Sequence, residues 1–271
     1  MGTFKFDFTF DKPTVTYIEE SAEGADAPSV LSRNGNNLCP YPIPKVSEIM
    51  KGIEKFSYGT GTGKLLSDLF ECGAIAISNL VDKSQFDERE KRYKEVISSY
   101  RKDEQKKIVE LFSKIYALLS SVVYDNGVFA DYLGDIYMQC NVSNKNAGQF
   151  FTPYHISRFC AKAMMVGDVF TQKMAADEVI TLCDPCCGSG GMMVAGLDVL
   201  ANDYKCNYAR NCFVECADID IRCVHMAYLQ LSLAGVPAVI KHQNSLSQEL
   251  WSVWLTPALI FQYPRFHKYV R

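Results

Sequence analysis

Within eight positions the chain places an acid, a proline, two cysteines, a serine and three glycines: Asp184-Pro185-Cys186-Cys187-Gly188-Ser189-Gly190-Gly191. A short β-branched run, Val179-Ile180-Thr181, leads into this segment, and a helical stretch begins at Met192. Strand, glycine turn and helix in that order bring backbone N–H groups and a helix N-terminus up to a nucleotide-like ligand. Glycine is required because only a residue without a Cβ lets the backbone turn this tightly and touch what it binds. The spacing is neither G-x-G-x-x-G nor G-x-x-x-x-G-K-[ST], so dinucleotide and phosphate loops are not indicated.

The elements that must position this turn follow it in sequence. Cys212 to Ala217 is a second apolar run, and it ends at Asp218, 34 residues after Asp184. An acid at that place in a βαβ unit accepts hydrogen bonds from ribose hydroxyls. Val224, Ala227, Tyr228, Leu231 and Ala234 then recur at helical spacing, and Gly235 and Pro237 stop the helix. A third run, Ala238-Val239-Ile240, leads into Gln243-Asn244-Ser245-Leu246. Alternating units of this kind predict an α/β parallel sheet with a ligand crevice at the carboxyl ends of its strands.

With these segments in view, the stretch from about Asn144 to Leu246 resembles the N6-adenine DNA methyltransferases, in particular the modification subunits of type I restriction systems. Gly148-Gln149-Phe150-Phe151-Thr152-Pro153 matches that family's G-Q-F-F-T-P segment, and Asp184 to Gly191 matches its D-P-A-C-G-S-G-G loop. Asp218-Ile219-Asp220 and Gln243-Asn244-Ser245-Leu246 stand where the family has an acid and a G-D-S-L-like segment. The resemblance implies an S-adenosylmethionine site. Gln149, Phe150, Phe151 and Thr152 would pack around the methionine end, and Asp184, Pro185, Cys186, Gly188, Ser189 and Gly190 would cradle it. Asp218 and Ile219 would hold the ribose and its surroundings, while Asn244 and Ser245 would stand near the adenine, with the Asn244 oxygen accepting from its amino group. Thr152 and Pro153 also read as a helix start, a hydroxyl cap followed by proline in the first turn.

One departure bears on activity. The family activates the target amino group with an Asn/Asp-Pro-Pro-aromatic motif, whose acceptors bind the amino hydrogens and whose ring stacks on the flipped base. That tetrapeptide occurs nowhere in the sequence; Val253-Trp254-Leu255-Thr256-Pro257-Ala258 stands at the corresponding place. The catalytic residues are therefore unassigned, and two readings stay open. In one the chain is a methyltransferase acting on DNA, alone or with a partner. In the other it is a catalytically silent relative that senses cofactor or binds DNA or a protein partner, including a second copy of itself.

Composition sets the outer bounds. The 271 residues are 48% hydrophobic, enough for one large domain or two smaller ones, and the net charge of −3 gives no global pull toward nucleic acid. Eleven cysteines are an odd count in a chain too long and core-rich for a disulfide scaffold. Cys183, Cys212 and Cys223 read as small buried hydrophobes. Lys5 and Asp7 interrupt the start before any apolar stretch, and no run long enough to span a membrane exists. The expectation is a reduced, cytoplasmic protein without a membrane segment or metal site.

The fold expected is α/β, a methyltransferase-like doubly wound sheet over residues 144–271 that is short at its C-terminal end. A helical domain over 46–143 and an N-terminal hairpin and loop over 1–45 precede it. Phe4, Phe6, Phe8 and Phe10 alternate with Lys5, Asp7 and Thr9 in the hairpin. Asp87 to Val123 gives the clearest helical period, with Val96, Tyr100, Ile108, Leu111, Phe112, Ile115, Leu118 and Leu119 on one face. Two further motifs are set aside. Gly59-Thr60-Gly61-Thr62-Gly63-Lys64 lacks the first glycine and the Ser/Thr of a phosphate loop, and Cys183-Asp184-Pro185-Cys186 lacks the second pair of a zinc site.

Overall fold

The computed structural model describes residues 43–124, 128–140 and 150–270. The N-terminal hairpin and Gln149 lie outside them. Four helices come first: α1 (Val46–Thr60), α2 (Thr62–Val81), α3 (Phe86–Ser98) and α4 (Lys102–Tyr124). The single helical period read over Asp87 to Val123 is broken between α3 and α4. The break is chemically satisfied: Arg101 N–H donates to the Glu104 carboxylate at 3.0 Å, and Gln105 Nε2 donates to the carbonyls of Ile97 and Tyr100. This is a capping arrangement that a continuous apolar stripe conceals. Lys64 lies within α2, paired with Asp68, so the glycine-rich stretch before it forms no phosphate loop.

Next come α5 (Tyr132–Gln139), α6 (Tyr154–Met164) and α7 (Val169–Ala175). They lead into β1 (Ile180–Asp184), α8 (Gly191–Asp198), the short α9 (Tyr208–Asn211), β2 (Cys212–Asp218), α10 (Ile221–Leu233) and β3 (Ala238–Asn244). The chain then forms β4 (Glu249–Leu255) and two short helices, α11 (Pro257–Phe261) and α12 (Tyr263–Phe266). The result is a mixed α/β fold around a four-stranded sheet in the order β1-β2-β3-β4. The first three strands are parallel, with Cys183 opposite Glu215 and Glu215 opposite Val239.

β4 runs antiparallel to β3, with Trp254 opposite Ile240 and Glu249 opposite Asn244. This corrects the alignment of Val253 to Ala258 with a catalytic strand end. β4 runs away from the carboxyl ends of the parallel strands, so Thr256 arrives where β3 begins. There its Oγ1 donates to the Val236 carbonyl at 2.7 Å and accepts from Ala238 N–H at 2.9 Å, fully buried.

Alternation along the strands separates two faces. Cys212, Val214, Ala238 and Ile240 join the main core, which is continuous from Ile49 in α1 to Trp254 in β4 and receives α8 and α10. Phe213 and Val239 point the other way, into a small cluster with Val179, Leu259 and Phe266 from the C-terminal helices. Beyond that cluster the second face carries the Lys241–Glu215 ion pair at 2.5 Å and the exposed Cys183. Cys183 is therefore not the buried hydrophobe that its strand position suggested, whereas Cys212 and Cys223 are. One core joins the helices and the sheet, and the described residues fall in a single compact unit.

Candidate functional site

β1 ends at Asp184 because the glycines that follow bend the chain back toward β2. Gly188 and Gly190 adopt φ of +54° and +89°, the left-handed region that favours glycine. Cys187 N–H donates to the Ala217 carbonyl at 2.9 Å, and Gly190 N–H to the Cys187 carbonyl at 2.8 Å, which closes the turn and opens α8. Asp184 Oδ1 accepts the Cys186 N–H at 3.0 Å.

At the end of β2, Asp218 spans the turn. One carboxylate oxygen accepts Gly188 N–H and the other Asp220 N–H, each at 2.8 Å. Burial pushes its pKa up from the usual carboxylate value, against the two backbone donors that favour the charged form. Asp220 caps α10 by accepting Arg222 N–H and also pairs with the Arg222 guanidinium, which lies over the Tyr137 ring.

These groups face a cleft of about 520 Å³, within the range that encloses a small ligand. Of the residues singled out in the sequence, Phe150, Phe151, Thr152, Asp184, Cys186, Gly188, Ser189, Asp218 and Ile219 line it. Asp131, Ser157, Met192, Asp220, Arg222 and Cys223 also line it, and sequence reasoning assigned none of them to the site. Asp220 and Arg222 had a signal, an acid next to a helix start with a base two residues on. Asp131 had none, because the chain separates it from the glycine turn by more than fifty residues.

Other expected residues stand apart from the cleft lining. The Asn244 side-chain oxygen, expected to accept from an adenine amino group, instead accepts Leu246 and Ser247 N–H at 3.0 and 3.2 Å, holding the turn between β3 and β4. Ser245 donates from its hydroxyl to the Pro185 carbonyl, which ties that turn to the glycine loop. Gly190 supports the cleft from behind: a Cβ there would press on Ala227 of α10 at 3.2 Å. Thr152 is no helix cap. Pro153 is the N-cap of α6, with ψ of 135° and no side-chain cap bond, and a residue before proline is held extended. Thr152 is thereby left on the cleft wall.

The wall has a definite electrostatic character. Asp184, Asp218 and Asp220 contribute carboxylates, and Arg222, paired with Asp220, contributes the cation, while the Asp131 carboxylate behind them is buried and taken up by hydrogen bonds within the protein. Such a wall favours a ligand with net positive charge and disfavours polyphosphates. Ile219 is 61% exposed beside it and offers an apolar surface. Among the described residues no cluster of three metal-ligating side chains occurs, no helix is long and apolar enough to cross a membrane, and no disulfide forms.

Comparison with known proteins places these features in a family. None of the curated proteins and none of the solved structures compared with the chain matches it significantly. The family model described as N-6 DNA Methylase matches residues 129–268, a little over half of the sequence, and takes in α5, the glycine turn, the acid of β2 and the whole sheet. The chain belongs to the N-6 DNA methylase family.

Proposed function

We propose that the cleft binds S-adenosylmethionine and that the chain is the cofactor-holding part of a DNA adenine-N6 methylation system of the restriction-modification kind. One observation carries this reading. Phe150, Phe151 and Thr152, the glycine turn, and Asp218 with Ile219 come from three separate stretches of sequence and converge on one cleft. The residues present suit the ligand. Its sulfonium and ammonium charges meet an acidic wall, and its base meets Ile219. Asp218 already accepts two backbone N–H groups but has about four acceptor positions, so ribose hydroxyls can still be bound. When bound, the cofactor supplies an electrophilic methyl group.

A second reading has its own support. The Asn/Asp-Pro-Pro-aromatic motif is missing from the sequence, and Thr256 is buried at the opposite end of β3 from the cleft. An adenine amino group is a poor nucleophile without preorganised acceptors, and removing one such contact commonly costs about 10²–10³ in rate. We therefore propose that this chain alone binds cofactor without efficient methyl transfer. A partner protein or a second copy would supply the acceptors and cover the Glu215–Lys241 face, completing a doubly wound sheet in a cytoplasmic complex on DNA.

Calorimetry with S-adenosylmethionine, followed by tritiated methyl transfer to unmethylated duplex, tests both parts. Binding without turnover is expected, and Asp218→Ala should weaken binding by about 1–3 kcal/mol. No binding by the wild-type chain would remove the proposal. Turnover by the chain alone would show that it carries its own acceptors, and turnover only on adding a second protein would show a shared site.

A further inference from the structure

We propose that Asp131 is a positioning residue for the cleft: a buried carboxylate that ties the helical part of the chain to the glycine turn and thereby sets cofactor affinity. The inference rests on the cleft being the S-adenosylmethionine site. Asp131 is the N-cap of α5, and its Oδ1 accepts Gly134 N–H at 3.0 Å. Capping alone needs one oxygen and is usually done at the surface. Here the residue is 3% exposed and its remaining acceptor positions are used on other elements. Oδ2 accepts the Ser189 hydroxyl at 2.5 Å, and Oδ1 also accepts Gln230 Nε2–H from α10 at 2.8 Å. Gln230 Nε2 donates in addition to the Ser189 carbonyl at 2.7 Å, and its Oε1 accepts Leu133 N–H. Ser189 is therefore held by both its side chain and its backbone, through one carboxylate and one amide.

Two glycines on different elements show that room is kept for this carboxylate. A Cβ on Gly134 in α5 would collide with it, and so would a Cβ on Gly191, the first residue of α8. The same carboxylate sits beside the N-terminus of α8, where negative charge is favoured. Ser189 stands between Gly188 and Gly190, both in left-handed conformation, so losing its anchors frees the part of the turn whose N–H groups border the cleft.

The experiment compares wild type, Asp131→Ala, Asp131→Asn and Ser189→Ala by S-adenosylmethionine calorimetry, thermal unfolding, and amide hydrogen exchange of the Gly188–Gly191 segment in the ligand-free protein. In the Asn variant, Oδ1 keeps the Gly134 and Gln230 donors and Nδ2 can donate to Ser189, so affinity should return to within a few-fold of wild type. Asp131→Ala and Ser189→Ala should each weaken binding about tenfold or more and speed exchange in the turn. Ser189→Ala leaves the α5 cap intact, so it keeps the proposal testable should Asp131→Ala fail to fold. Wild-type affinity in Ser189→Ala would overturn the positioning role. So would an Asn variant as weak as the Ala variant, because charge rather than geometry would then be at work. Failure of the wild-type chain to bind S-adenosylmethionine removes the ligand assignment alone. The exchange comparison still decides whether Asp131 fixes the turn, and unchanged exchange in both variants would overturn that part too.

Discussion

At the carboxyl ends of β1 and β2 the chain leaves polar groups facing a cleft, whereas along the β3–β4 edge it consumes them internally. Asp184 and Asp218 accept turn N–H groups and still border open space, and glycines in left-handed conformation keep the backbone close to whatever enters. Along β4, Arg89 reaches from α3 to donate to the Val253 carbonyl at 2.8 Å, pairs with Asp82, and lies 4.0 Å over the Trp254 ring. His225 meets the same ring edge-on at 5.0 Å, and Thr256 bonds both sides of the start of β3. Both regions are rich in aromatic and ionisable side chains. Only the first gathers them around a cleft, whereas Arg89, His225, Trp254 and Thr256 are spent on one another and on the backbone, and that availability rather than residue type separates a binding site from an anchored edge.

The largest expected effect attacks the anchored edge. Trp254→Ala removes the ring that Arg89 and His225 pack against and opens a cavity beside Tyr228. A loss of about 3–5 kcal/mol of stability is expected, read from denaturant midpoints, while the affinity for S-adenosylmethionine at a temperature where the variant is folded changes little. A large affinity loss with stability intact would mean that this edge takes part in the site after all.

The converse substitution comes next. Gly188→Val places a β-branched residue at φ +54° with its Cβ 3.0 Å from the Phe151 ring, on the cleft side of the turn. Strain of about 1–3 kcal/mol is expected in stability, and calorimetry should show binding reduced about 100-fold or more, the usual consequence of filling a ligand's space with a side chain. Equal affinity in the variant would place the ligand elsewhere in the molecule.

The two regions were unequally legible in the sequence. The glycine turn and the acid of β2 could be read because tight turns and ligand contacts restrict residue type locally, and the strand and helix that join them span a short separation. Alternation and helical spacing likewise predicted β2, α10 and β3 at close to their actual bounds. Asp131 was invisible because its partners Ser189 and Gln230 are brought to it only by tertiary packing. Asn244 carries a related ambiguity: asparagine is at once a ligand acceptor and a turn former, and in the hairpin to β4 its side-chain oxygen holds the turn. The β4 edge was the hardest case. A resemblance aligned in sequence carries no strand direction, so Val253 to Ala258 could be aligned with the family's catalytic strand end although the antiparallel pairing places Thr256 at the far end of the sheet.

The smallest effect sharpens the comparison through pH. His225 is fully buried, and burial first, then the positive potential of His242, Arg89 and Arg92, lowers its pKa to about 3, with Asp220 opposing. The unfolded chain takes up that proton near pH 6.5, whereas the folded protein refuses it until about pH 3. Stability from this group is thus fully present above about pH 6.5 and declines as pH falls toward the folded value, by about 1.4 kcal/mol for each unit. Asp218 moves the other way. Its raised pKa means that lowering the pH neutralises a carboxylate the folded state holds at some cost, so acid weakens cofactor binding there rather than the fold. Denaturant midpoints between pH 7 and 4 should fall more steeply for wild type than for His225→Gln, while the affinity for S-adenosylmethionine falls in parallel in both proteins. Identical stability slopes in the two proteins would show that His225 accepts its proton without unfolding the edge it anchors, and the contrast between a closed edge and an open cleft would then not extend to protons.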